Sequence, residues 1–127
     1  MIVDDEKDSQ LLFDHEFRME IKDGKIQFIY TSSGEEALNY LETKGIADII
    51  LILSDINMPG INGLELLKII KERFNTIPVV MLTAYGDQEN YNKAMLYGAD
   101  DFINKPIDFK YLRKEIMAFY ESKKSEK

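Results

Sequence analysis

The chain has 127 residues, 45% hydrophobic and 31% charged, with a formal net charge of −7 and no cysteine. That length fits one compact domain; the missing cysteines exclude a disulfide framework and a thiolate metal site, which suits the cytoplasm. The acidic balance argues against nucleic-acid binding by this chain and favours a divalent cation or a basic partner surface, and the longest purely apolar run, Ile49 to Leu53, is far too short to span a membrane.

Ile2-Val3 is a short apolar start. Leu11, Leu12, Phe13, Phe17 and Ile21 predict one helical stripe that ends at Asp23-Gly24. Ile26, Phe28 and Tyr30 alternate as a strand should. Ser33-Gly34-Glu35-Glu36 has the spacing of a capping box, opening a helix lined by Ala37, Leu38 and Leu41. Ile49 to Leu53 and Pro78 to Leu82 are continuous apolar runs, the mark of strands covered on both faces. Between them, Asn62-Gly63 starts a helix with Leu64, Leu67, Ile70 and Phe74 on one side. Asp87 caps a further helix closed by Gly98, and Phe102-Ile103 is a brief strand. After Pro106 comes a last helix with Phe109, Leu112, Ile116 and Phe119 inward. Residues 1–121 are expected to form the domain, and 122–127 a tail or the start of a linker.

Five strand–helix units in series predict an α/β domain, a doubly wound parallel sheet with helices on both faces. Ligands of such sheets bind beyond the C-terminal strand ends, which here carry Asp4-Asp5, Thr31, Asp55, Thr83 and Lys105. Like charges repel by about 4 kcal/mol at 4 Å even at an effective dielectric near 20. Asp4, Asp5 and Asp55 carry −3 and Lys105 returns +1, leaving −2 for a divalent cation to cancel. Oxygen-only ligands favour Mg2+, with Mn2+ as the alternative. A carboxylate nucleophile, a cation, the Thr83 hydroxyl and the Lys105 ammonium together suit phosphoryl transfer.

Four motifs then carry a resemblance: Val3-Asp4-Asp5-Glu6, Ser54-Asp55-Ile56-Asn57-Met58-Pro59-Gly60-Ile61-Asn62-Gly63, Leu82-Thr83-Ala84 and Lys105-Pro106. In order and spacing they resemble the receiver domain of two-component response regulators, from Ile2 to about Tyr120. The resemblance implies a flavodoxin-like fold with strand order 2-1-3-4-5. It implies that Asp55 accepts a phosphoryl group from a histidine kinase or phosphotransfer protein. Asp5, Asp55 and the backbone carbonyl of Asn57 would hold the metal, with Asp4 assisting. Thr83 and Lys105 would bond the phosphoryl oxygens, and the Lys105–Pro106 peptide would be cis. Phe102 would be the aromatic that follows Thr83. The helix from Asp87, the strand at Phe102 and the last helix would form the output face, through which homodimerisation is open. Asn57 and Tyr85 stand where the phosphoryl lifetime is tuned, and bulky Tyr85 predicts slow autodephosphorylation.

One departure is that only Met1, Ile2 and Val3 precede Asp4, where relatives usually have more. Either upstream residues are missing or a stunted first strand holds Asp4-Asp5 loosely. The rival readings are weaker. A flavin phosphate would be repelled by Asp-Asp-Glu-Lys-Asp, Asn57 cannot act as the second aspartate of a dehalogenase-type phosphatase, and Pro59 and Leu66 break a calcium-loop pattern. His15 lies on a polar stretch and reads as a solvated surface residue. The remaining alternative is a receiver that docks a partner without being phosphorylated. A fused effector is hinted at only faintly, by segments that look like receivers joined to nucleotide cyclases or serine phosphatases.

Overall fold

A computed structural model describes residues 1–83 and 87–125. In chain order the elements are β1 (Ile2–Val3), α1 (Lys7–Glu16), α2 (Arg18–Lys22), β2 (Tyr30–Thr31), α3 (Gly34–Lys44), β3 (Ile52–Asp55), α4 (Gly63–Arg73), β4 (Val79–Thr83), α5 (Gln88–Leu96), β5 (Asp101–Asn104) and α6 (Phe109–Ser125). The five strands form one sheet in the order β2-β1-β3-β4-β5, and every pair is parallel. The sheet and its order agree with expectation.

Side chains of a strand point alternately to the two sheet faces, and the core divides accordingly. Val3, Ile52, Val79 and Met81 lie on one face with Ala37 and Leu41 of α3, Leu67 and Ile70 of α4, and Ala94 of α5. Ile2, Leu53, Val80 and Leu82 lie on the other, with Phe13, Phe17 and Leu112. The second compartment is aromatic: Phe17 meets Phe28 and Phe109 edge-on at centroid distances of 5.2 and 6.1 Å. Arg113 of α6 stacks over Phe17 at 4.9 Å and bonds Glu20 Oε2 at 2.5 Å, tying α6 to α2.

Four local expectations need correction. The strand expected over Ile49 to Leu53 forms instead over Ile52–Asp55, where β1 and β4 supply its ladder partners. The first helix breaks at Phe17, whose φ of −108° and ψ of 20° leave the helical region. Of its five apolar residues only Phe13 and Phe17 are buried, while Leu11 is 68% exposed; at 100° per residue Leu11 and Leu12 point away from the face that Phe13 and Phe17 share. The strand expected from Ile26 is reduced to Tyr30–Thr31, because β1, its hydrogen-bonding neighbour, supplies only Ile2 and Val3. Ile26 and Phe28 still pack against the second compartment. The last helix runs on to Ser125, into the segment taken for a tail, and Lys123 there donates to the carbonyls of Ala47 and Ile49 at 2.8 and 2.7 Å.

Candidate functional site

The residues that end β1, β3 and β4 meet at one edge of the sheet. Asp4 follows β1, and its N–H donates to the Thr31 carbonyl at 3.1 Å. Its carboxylate accepts from the Glu6 N–H at 2.9 Å and from the Ser9 hydroxyl at 2.7 Å. Asp4 is thus buried and held at both oxygens, and not loosely placed as the short first strand suggested. Ser9, one turn into α1, was not singled out from sequence; its signal is a hydroxyl near a helix start, within reach of a preceding aspartate.

Asp55 ends β3, buried to 6% exposure. Its Oδ1 accepts from the Ile56 N–H at 2.9 Å, and its Oδ2 lies 3.4 Å from Lys105 Nζ. Asp5 is exposed, and oxygens of Asp4, Asp5 and Asp55 all lie within 4.8 Å of one another. Burial pushes the Asp55 carboxyl above its ordinary range; Lys105 opposes this and the charge of Asp4 adds to it. A carboxylate kept ionised there needs more positive charge than one half-exposed lysine supplies.

The remaining partners come from the next two strand ends. Lys105 follows β5; its N–H donates to the Thr83 carbonyl at 2.7 Å, and its peptide bond to Pro106 is cis, as expected. Thr83 closes β4 at 0% exposure, and its hydroxyl oxygen has no hydrogen-bond partner among the described residues. A buried hydroxyl without a partner costs about 1–3 kcal/mol. Thr83→Val is therefore expected to leave the unphosphorylated protein as stable as the parent or more stable by about 1 kcal/mol, read from chemical denaturation. A loss of more than that would mean the hydroxyl already serves a structural bond.

Behind Asp55 the turn is closed by glycines. Gly60 takes a φ of 75°, a conformation that side chains resist. Gly63 lies against the β3 terminus: a Cβ built there would stand 2.2 Å from the Asp55 carbonyl oxygen. Asn62 caps α4 by accepting from the Glu65 N–H at 3.0 Å. The sequence marked Asn62-Gly63 as a helix start but gave no sign of this close approach, which depends on how α4 crosses the end of β3.

Of the other expected positions, Asn57 is exposed in the turn after β3. Phe102 is half-buried, its ring edge-on to Tyr91 of α5 at 5.2 Å. His15 is exposed, as expected. Ala84 and Tyr85 lie outside the described residues. A cavity of about 660 Å3 lies elsewhere, lined by residues such as Phe28, Leu51 and Tyr120. Charge and hydrogen-bonding capacity, and not cavity size, distinguish the acidic edge.

With this geometry in place, comparison with known proteins settles the class. The chain belongs to the response regulator receiver domain family, whose sequence model matches residues 1–117. It is 37% identical over 119 residues to the heme response regulator HssR of Staphylococcus epidermidis, covering 93% of this chain and 49% of that protein. Identity to the response regulator protein FleR of Pseudomonas aeruginosa is 37% over 89 residues, covering 70% of this chain and 18% of the relative. The chain thus spans half or less of these relatives. Among solved structures, a response regulator receiver domain protein from Clostridium thermocellum superposes with a TM-score of 0.81 at 29% identity, covering 99% of this chain and 96% of the other. No helix among the described residues is long and apolar enough to cross a membrane.

Proposed function

We propose that Asp55 is a phosphoacceptor, taking a phosphoryl group from the phosphohistidine of a sensor kinase or phosphotransfer protein. One observation carries this reading. Three carboxylates converge to within 4.8 Å beside a lysine ammonium and a buried hydroxyl that has no partner among the described residues. Asp55 Oδ2, the oxygen turned toward Lys105, attacks phosphorus; the phosphorus–nitrogen bond breaks, and the imidazole departs with the bonding pair. Lys105 and Thr83 then take the phosphoryl oxygens, giving the hydroxyl the partner it lacks. The oxygen-only donor set fits Mg2+, or Mn2+, and would hold it with Asp5, Asp55 and the Asn57 carbonyl, Asp4 assisting. Bound there, the cation neutralises charge developing on the phosphoryl oxygens.

The response would reach a partner or an attached effector through α5, β5 and α6, with Phe102 following Thr83, and the same face could pair two copies. A cytoplasmic location accords with a cytoplasmic kinase. Slow autodephosphorylation stays an expectation from Tyr85.

Incubation with Mg2+ and acetyl phosphate is expected to add one phosphoryl group, seen by intact mass, and a chelator should prevent it. No uptake in the parent protein would overturn the phosphoacceptor reading and leave a receiver that docks without phosphorylation.

A further inference from the structure

Asp4 is held by two donors that reach it from the start of α1. Its Oδ1 accepts from the Glu6 N–H at 2.9 Å, and its Oδ2 from the Ser9 hydroxyl at 2.7 Å. The first bond is made by backbone, so any residue but proline at position 6 would supply it. The second depends on the side chain at position 9.

A hollow of about 220 Å3 opens beside Asp4 and Asp5, and four hydroxyl-bearing residues line it: Ser9, Tyr30, Thr31 and Ser32. Three of these hydroxyls are engaged elsewhere. Tyr30 donates to Asp14 Oδ1 at 2.8 Å, Thr31 to the Ile2 carbonyl at 3.4 Å, and Ser32 to Glu36 Oε2 at 2.8 Å. Of the four, Ser9 alone turns its hydroxyl to a carboxylate of the acidic edge. It is also firmly placed: Ser9 precedes Phe13 by four residues, on the same face of α1, and Phe13 is buried in the aromatic compartment.

The carboxylates at this edge repel one another. Oxygens of Asp4, Asp5 and Asp55 lie within 4.8 Å, and like charges that close favour rotation of a side chain out to solvent. Asp4 cannot turn away without breaking its bond to Ser9. A carboxylate accepts at about four lone-pair positions. The Glu6 N–H and the Ser9 hydroxyl take one on each oxygen, leaving the rest for a cation or its water. By helix propensity alone, alanine would serve α1 better than serine.

We propose that Ser9 is a positioning residue for the divalent cation: its hydroxyl keeps the Asp4 carboxylate turned along the edge, in one acidic set with Asp5 and Asp55. This role rests on the cation reading given above and extends it to a side chain on α1. Groups that orient the ligands of a metal change its affinity by about tenfold or more when removed.

The test titrates the metal-free 127-residue chain with Mg2+ alone, with no phosphodonor present, following the amide resonances of Asp5 and Asp55 by NMR. Ser9→Ala is expected to bind about tenfold more weakly than the parent. Ser9→Thr, which keeps the hydroxyl, should bind as the parent does. Melting separates positioning from plain stability: the parent and Ser9→Ala should melt closer together in chelator than in Mg2+, because weaker binding stabilises less. Equal Mg2+ affinity in the parent and Ser9→Ala, or a Ser9→Thr as weak as Ser9→Ala, would overturn the role of Ser9 and leave the cation reading in place. A parent chain that takes up no Mg2+ would overturn both.

Discussion

Asp55→Asn is expected to abolish phosphoryl uptake and, in the absence of divalent cation, to melt above the parent. The first effect follows from the chemistry, because a carboxamide offers no nucleophilic oxygen of comparable strength. The second follows from the surroundings: Asp55 is nearly fully buried, has Asp4 as a negative neighbour, and receives only the half-exposed Lys105 in return. Removing a buried charge of this kind relieves desolvation and repulsion together. A gain of about 1 kcal/mol corresponds to roughly 3–5 °C in a domain of this size. Added Mg2+ should reverse the ranking, since a ligand at one hundred times its dissociation constant stabilises the form that binds it by about 2.7 kcal/mol. Thermal melts of both proteins, with chelator and with Mg2+, check the reversal. If the parent is the more stable in chelator, the carboxylates do not strain the empty pocket and the electrostatic account of the site is wrong.

Gly63→Ala is expected to be the most damaging small substitution in the chain. At the first position of a helix alanine would ordinarily gain up to about 1 kcal/mol over glycine. Here its Cβ would stand 2.2 Å from the Asp55 carbonyl oxygen, 2.7 Å from Ile56 Cα and 2.9 Å from the Asp55 carbonyl carbon. All three are backbone atoms, so no side chain can swing aside. Relief requires moving α4 off the end of β3, which also breaks the bond from the Gly63 N–H to the Ile56 carbonyl at 2.8 Å. We expect a loss of about 3 kcal/mol or more, some 10 °C in melting temperature. Any protein that still folds should take up phosphoryl more slowly, because the shift is centred on Asp55, the proposed phosphoacceptor. Melting within 2 °C of the parent would show that the end of β3 is more compliant than its packing indicates.

What the sequence revealed was whatever depends on alternation and abrupt change. The runs Ile49 to Leu53 and Pro78 to Leu82 read as strands covered on both sides; the strands form one to three residues further on, at Ile52–Asp55 and Val79–Thr83, and the polar residues that end them, Asp55 and Thr83, gather at one sheet edge. Lys105 and Asp4-Asp5 followed by the same logic, and all of them meet there. The break at Phe17 was hidden because neither glycine nor proline marks it. The length of β2 was hidden because a strand is defined by its neighbour, and β1 offers only Ile2 and Val3. Gly63 and Ser9 act through distances between separate elements, which no local pattern encodes. The bond from the Tyr111 hydroxyl to Asp101 likewise arises only when α6 folds back on β5.

The division of the interior into two compartments has a mechanical consequence at the sheet edge. α5 belongs to one layer and α6 to the other, yet β5, the last strand in the sheet order, lies beside both. A central strand such as β3 is gripped by a ladder on either flank, so a push on it is shared and damped. β5 is gripped on one flank only, and it carries Lys105 just beyond its end. A small slide of this strand would lever both layers at once, so a displacement of Lys105 would be felt by two helices on opposite faces.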